Sequence, residues 1–262
     1  MPHYYRVSIQ VVAHRGYSSE EPEHSMAAYL RAVEAGADAV ECDVRMTADG
    51  TLVLVHDRRI DRTSPGSGAV SNFMLAELQE HTFGGHGWHD FEDPPSELRT
   101  RLLTLETFLS TLLDASPTLE FAIETKHPIR FGKYVEEELA RVLRSFGLVR
   151  NGSVHRVRMM SFSRMAVVRM KRLVPAIPTV YLCGRRPWFY RDGRLPPGVS
   201  ALGPGIDVVR EHPELVAAVK SRGGQVHVWV VDERADFDLC RDLGVDVIIS
   251  NKPAQILAWL GR

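Results

Sequence analysis

The chain has 262 residues, with 32 Lys and Arg against 33 Asp and Glu, a formal net charge of −1. At 44% hydrophobic and 25% charged residues its composition is that of a globular protein, which excludes wholesale disorder, and the lack of a basic excess argues against a nucleic-acid partner. Cys42, Cys183 and Cys240 follow no spacing motif and make neither a disulfide framework nor a zinc site; no apolar signal region opens the chain and no run reaches the ~20 residues of a membrane span, so a cytoplasmic protein is expected.

The first Val- and Ile-rich run predicts a strand over residues 7–13. Ser25 then opens a helix with Ala28, Ala32 and Ala35 on one stripe, and Gly36 ends it. The second strand is expected at 39–45. Residues 52–56 follow an Asp49-Gly50 turn and read as a hairpin extension of it. Residues 57–101 carry Ser64-Pro65-Gly66-Ser67-Gly68, Gly84-Gly85-His86-Gly87 and Asp93-Pro94-Pro95, and read as an inserted excursion with little core. From there strands are expected at 119–125, 157–162, 178–183, 200–203, 225–231 and 245–250. Helices are expected at 104–114, 134–146, 164–173, 213–221, 235–243 and 254–260. Residues 184–197, with Trp188, Phe189 and Tyr190, form a second long loop. Eight strands alternating with helices predict an α/β fold, a (β/α)8 TIM barrel with a small insertion after strand two. An open doubly wound sheet would bring a Gly-rich loop after its first strand, where this chain has His14-Arg15-Gly16. One barrel domain over residues 1–262, with an inserted segment at about 57–101, is expected.

Polar residues cluster at the carboxyl ends of the predicted strands, the face on which barrel active sites form. His14 and Arg15 follow strand one; Glu41 and Asp43 lie late in strand two; His56 closes the hairpin extension; Glu124 and Lys126 end strand three. Side chains two apart share a face of a strand, so Glu41 pairs with Asp43 and Glu124 with Lys126, while Cys42 points to the helix layer. Three facing carboxylates need a compensating charge. Either a divalent cation suited to oxygen ligands supplies it, or the acids pair with Arg15, Arg45 and Lys126 in an ion-pair network. His14 and His56 are an acid and base candidate pair. His81, His86 and His89 read as loop histidines, and His227 as a satisfied core group. Phe162, ending strand four, and Trp229, ending the inward-facing series of strand seven, either fill the core or wall a pocket.

These motifs resemble those of the glycerophosphodiester phosphodiesterase family. The match runs through Val12-Ala13-His14-Arg15-Gly16, Glu21-Pro22-Glu23, Gly36-Ala37-Asp38-Ala39-Val40-Glu41-Cys42-Asp43-Val44, Thr47-Ala48-Asp49-Gly50 and Val55-His56-Asp57. It continues in Asp61-Arg62-Thr63, Leu103-Thr104-Leu105-Glu106, Glu124-Thr125-Lys126, Ser161-Phe162-Ser163, Val228-Trp229-Val230-Val231 and the run from Gly244 to Pro253. The resemblance implies a barrel that hydrolyses glycerophosphodiesters to glycerol phosphate and an alcohol, with one divalent cation, Mg2+ or Ca2+, Mn2+ being an alternative. It implies His14 and His56 as catalytic acid and base, Glu41, Asp43 and Glu124 as metal ligands, Arg15 and Lys126 on the phosphate, Phe162 and Trp229 on the substrate, and Glu23 and Asp57 as supports. The chain departs from the family where Pro-Glu-Asn-Thr reads Pro22-Glu23-His24-Ser25 and Trp-Thr-Val-Asn reads Trp229-Val230-Val231-Asp232. The expected partner is a small-molecule glycerophosphodiester. A lysophospholipase D acting on a lipid substrate, with the 188–190 aromatics as its acyl groove, and a non-catalytic barrel that binds phosphorylated ligands are the alternatives.

Overall fold

Parallel strands buried on both faces read as unbroken apolar runs, and in the computed structural model, which describes residues 9–84, 96–150, 152–154, 156–185 and 192–262, those runs close on one another. The strands are β1 (Gln10–Ala13), β2 (Ala39–Met46), β3 (Leu52–Leu54), β4 (Glu120–Thr125), β5 (Val149–Arg150), β6 (Ser153–Val154), β7 (Val157–Ser161), β8 (Thr179–Cys183), β9 (Ala201–Pro204), β10 (Gln225–Val228) and β11 (Val247–Ser250). Eight of them, all except β3, β5 and β6, are parallel neighbours in chain order, and β11 returns to β1 to complete the barrel. β3 lies antiparallel on the end of β2, as the Asp49-Gly50 turn predicts. β5 and β6 form a separate two-stranded hairpin, too short to leave a pattern in the sequence.

The helices are α1 (Met26–Glu34), α2 (Leu75–Leu78), α3 (Glu97–Thr100), α4 (Leu105–Ala115), α5 (Tyr134–Ser145), α6 (Arg164–Leu173), α7 (Ile206–Glu211), α8 (Glu214–Lys220), α9 (Arg234–Leu243) and α10 (Pro253–Leu260). Ser25, Thr104 and Ser163 start α1, α4 and α6 by accepting a backbone N–H of the first turn. Between β8 and β9 no helix occurs among the described residues, and the six-residue α7 was too short for periodicity to announce.

Strand parity sorts the core. Val40, Cys42 and Val44 of β2 face the helix layer, where Tyr29, Phe108 and Phe121 pack. Small or branched residues such as Val12, Ala39, Ala122 and Val180 fill the barrel interior. Phe108 stands edge-on to both Tyr29 and Phe121, at centroid distances of 4.6 and 5.7 Å. Phe108→Ala should cost about 3–5 kcal/mol in urea unfolding, the range for an aromatic removed from a close-packed core.

The inserted stretch has more core than its composition promises. Val53 and Val55 of the hairpin pack with Ile60, Val70, Leu78, Phe83 and Leu102 in a small cluster of their own. Residues 85–95, with His86 and His89, and the aromatics at 188–190 lie outside the described residues, as do residues 7 and 8 of the first predicted strand. The predicted ends of two barrel strands are shorter than expected. β7 stops at Ser161, and β10 at Val228, because the carbonyl of Trp229 is taken by the N–H of Ile206 at the start of α7, 2.7 Å away.

Candidate active site

Register brings the chemistry together. Ala39 pairs with both Val12 of β1 and Glu120 of β4, and Val44 with both Leu54 of β3 and Thr125 of β4. β1 and β3 therefore share the edge of β2 opposite β4. β1 climbs that edge and β3 descends it, so the residues that leave them, His14 and His56, approach the same stretch of β2. Asp43 pairs directly with Glu124 across the β2–β4 seam, and Glu41 stands two residues below on the same face.

Glu41, Asp43 and Glu124 are all buried, and ligand oxygens of the three lie within 4.8 Å of one another. Burial, then the charge of Asp43, raises the Glu41 carboxyl well above its usual value and pushes that of Glu124 up to about 8. Burial acts on Asp43 in the same sense, but the hydrogen bond from His24 and the charges of Lys126, His24 and Arg15 outweigh it and hold that carboxylate ionised. Lys126 Nζ bridges Asp43 Oδ1 and Glu124 Oε1 at 2.9 Å each. The ion-pair network read from sequence is thus present for Arg15 and Lys126 but not for Arg45, which donates to the backbone carbonyl of His56 at 3.0 and 2.8 Å. Two acids pushed towards neutrality beside a third that stays charged, all with oxygen donors, fit a hard divalent cation.

The turn after β1 aims Arg15 at these acids. Arg15 has φ 56°, a left-handed conformation rare for a residue with a side chain, and its backbone N–H donates to Glu41 Oε2 at 3.0 Å. Gly16 follows at φ 86°, and a Cβ there would sit 2.7 Å from the carbonyl carbon and Cβ of Ala28 in α1. The turn is therefore packed against the helix without clearance. The Arg15 guanidinium donates to Glu23 Oε1 at 3.1 Å; its buried Nε lies 3.1 Å from Asp43 Oδ2, a charge contact without hydrogen-bond alignment.

Each histidine of the candidate pair is oriented through Nδ1. Asn251 gives its amide nitrogen to Asp232 Oδ2 at 2.7 Å, so its oxygen faces His14 Nδ1 at 2.7 Å, and His14 must carry its proton on Nδ1. Burial, then the charge of Arg15, lowers the His14 imidazole to about 4. His56 Nδ1 faces a carboxylate instead, Asp57 Oδ1 at 2.7 Å. Burial lowers this imidazole too, while the hydrogen bond to Asp57 works in the opposite sense. Asn251, Asp232 and Ser18, which donates to Asn251 Oδ1 at 2.8 Å, were not picked out as site residues from sequence. Asn251 meets His14 only through the closure of β11 on β1, with Asp232 behind it, whereas Ser18 lies in the same turn as His14 and also donates to its carbonyl at 2.8 Å.

His24, the departure from the family's asparagine, joins the site from below. Its Nε2 lies 2.9 Å from Asp43 Oδ2 and its Nδ1 2.8 Å from Tyr29 Oη, which in turn donates to the Glu41 carbonyl at 3.2 Å. On the other side Phe162 is 42% exposed, stacks edge-on with Trp229 at 5.4 Å, and lies with its ring centroid 5.9 Å from Lys126 Nζ. Both aromatics therefore stand at the mouth; Trp229 is anchored by Nε1, which donates to the Gly203 carbonyl at 2.8 Å. His227 is buried as expected but only half satisfied: its Nε2 lies 3.4 Å from Gln225 Oε1, and its Nδ1 has no partner. His81 is a loop residue edge-on to Phe73.

Glu23 is tied to Arg62 of the inserted segment by two 2.8 Å hydrogen bonds. Burial raises its carboxyl, but Arg62 and Arg15 overcome this and hold it at about 2. The pairing thus stabilises the fold fully above the ordinary carboxylate range and loses that contribution as pH falls through about 4 towards 2. Thermal unfolding of Glu23→Gln should show a smaller loss of Tm between pH 5 and 3 than the parent; an identical loss would mean that Glu23 is not so paired.

A barrel that sets three buried acids, two histidines and an arginine at its carboxyl mouth has the layout of a metal-assisted hydrolase. The sequence pattern of the glycerophosphoryl diester phosphodiesterase family matches residues 14–255. The chain belongs to that family and is a phosphoric diester hydrolase. It is 45% identical over 254 residues to the "Probable glycerophosphodiester phosphodiesterase 1" of Mycobacterium tuberculosis, covering 95% of this chain and 92% of that protein. It is 32% identical over 251 residues to the glycerophosphodiester phosphodiesterase of Caldanaerobacter subterraneus, covering 94% and 96%. Among solved structures, the Oleispira antarctica phosphodiesterase in complex with its product sn-glycerol-3-phosphate shares the fold at a TM-score of 0.80, with 23% identity and 97% of both chains covered. Among the described residues no helix is long and apolar enough to cross a membrane.

Proposed function

We propose that this protein hydrolyses small glycerophosphodiesters to glycerol phosphate and an alcohol, using one divalent cation, Mg2+ or Ca2+, held by Glu41, Asp43 and Glu124. The observation that carries this reading is the convergence of three carboxylate oxygens within 4.8 Å beside two histidines oriented for proton transfer. The cation, when bound, would supply electrophilic stabilisation of the phosphoryl oxygens. The Arg15 guanidinium and the Lys126 ammonium bring two positive charges to the phosphate, so charge developing on its oxygens meets fixed cations in a largely buried site.

His14, protonated on Nδ1 towards Asn251 and neutral at pH 7, presents the lone pair of Nε2 and acts as the base on the attacking oxygen. His56, whose Asp57 partner favours the imidazolium, delivers the proton to the leaving alkoxide. The groove beside His14, about 670 Å³, is lined by Ser18, Ser19, Glu23, Asp232 and Lys252 as well as Arg15 and Arg62. Such walls suit a polar alcohol better than an acyl chain and favour the phosphodiesterase reading over the lysophospholipase D one. Glycerol phosphate release from a panel of glycerophosphodiesters and lysophospholipids, with and without chelator, tests this. Release from the small diesters that chelator abolishes is expected. Preference for lysophospholipids, or turnover that survives chelation, would overturn the assignment.

A further inference from the structure

Arg62 sits outside the barrel, 50% exposed, at the start of the inserted segment, yet it contacts the supports of both halves of the site. Its Nε donates to Asp57 Oδ2 at 2.5 Å, while Asp57 Oδ1 accepts from His56. Its two terminal nitrogens donate to both oxygens of Glu23 at 2.8 Å, while Glu23 Oε1 also accepts from Arg15. An unbroken series of charged contacts therefore runs from His56 through Asp57, Arg62 and Glu23 to Arg15, and from Arg15 to Glu41 and Asp43. A guanidinium fork spans two carboxylates in fixed geometry, which an ammonium does not do.

We propose that Arg62 is a positioning residue for the hydrolysis. By holding Asp57 on one side and Glu23 on the other it fixes the orientation of His56 and of Arg15 together, so that the inserted segment sets the geometry of the site without touching the substrate's reacting atoms. This rests on the roles given above to His56 and Arg15. Asp57 shares its charge between His56 and Arg62, so Arg62 also limits how strongly Asp57 supports the imidazolium. The other charged groups facing His56 are Asp43, Lys126 and Arg15, with Arg45 on its carbonyl.

The test separates positioning from simple tethering of a loop. In Arg62→Ala, kcat should fall about 10–100-fold, the usual cost of losing a group that orients a site residue. The NMR titration of His56 should move to higher pH, and that of His14, partnered by Asn251, should not. Losing the Arg62 charge alone would raise the His56 titration whether or not Asp57 is present, so the same change is made in an Asp57→Asn background. Positioning through Asp57 expects most of the shift to vanish there. An equal shift in both backgrounds would overturn the proposal. Arg62→Lys keeps the charge without the fork and should leave kcat at least 5-fold below the parent, as an order-of-magnitude expectation; full recovery by lysine would also overturn it. Because the His56 titration is read without turnover, it stands apart from the reaction itself. Full activity in His56→Ala would sink the acid assignment while leaving the Arg62-dependent shift intact.

Discussion

Glu41→Gln and Glu124→Gln should each lower turnover on the order of 10³-fold, several kcal/mol of lost charge stabilisation, and weaken divalent cation binding in parallel. The effect on the fold should have the opposite sign. Burial and mutual repulsion already push both carboxyls towards their neutral forms, so an uncharged amide of the same shape relieves an unfavourable charge. Thermal unfolding in chelator should therefore give a Tm equal to or above that of the parent, while calorimetric titration with Mg2+ or Ca2+ shows the loss of affinity. Asp43→Asn should behave differently. Its carboxylate is held ionised by the hydrogen bond to His24 and by Lys126 and Arg15, and removing it strands the positive charges of Lys126 and Arg15, so activity and stability should fall together. A Glu41→Gln enzyme with unchanged metal dependence would show that the three acids do not form the cation site.

The second large effect belongs to the histidines. His14→Ala and His56→Ala should each cost on the order of 10²–10⁴-fold in turnover with the fold retained, and the double variant far less than the product of the two. A nitrophenyl ester, whose leaving group needs no proton, should partly rescue His56→Ala and not His14→Ala. Rescue of His14→Ala alone would reverse the two roles, and rescue of both or neither would remove the division. The kcat/KM profile should be bell-shaped. Its acid limb rises as the buried His14 imidazole, lowered to about 4, loses its proton and becomes competent as base. Its alkaline limb falls as His56 loses the proton it must donate, and because burial lowers this imidazole that limb lies below the ordinary histidine range.

All eight barrel strands were legible because each is buried on both faces and so carries a largely apolar run, broken by a few charged or polar residues such as Glu41, Asp43 and Arg158. Parity along β2 was equally legible, and it placed Glu41 and Asp43 on one face and Cys42 on the other. What the sequence withheld was contact between distant segments. Nothing local in Asn251 says that it will stand against His14, or in Asp232 that it will orient Asn251; that follows from β11 lying between β1 and β10. Arg62 was visible only as part of a motif, since its two carboxylate partners are 5 and 39 residues away. Trp229 read as part of a strand running to residue 231 because its neighbours are apolar, but it lies just past β10, tied by hydrogen bonds to residues of β9 and α7. His24 was noted as a departure from the family's asparagine, but its link to Asp43 depends on a left-handed backbone at φ 60° that the sequence does not announce.

The close approach of Gly16 to Ala28 couples two positions in what they can tolerate. Position 16 has no room for a side chain because position 28 already fills the space, and position 28 has no room to grow because the backbone at 16 occupies it. A change of Ala28 to valine or leucine, conservative by composition and helical in propensity, would push the turn that carries His14 and Arg15. It would therefore surface as a loss of activity from a substitution in a helix outside the barrel. The exposed side of the same helix carries no such steric constraint; Arg31 there makes only surface ion pairs with Glu20 and Glu34 and lies over the Tyr17 ring, contacts that cost little to lose.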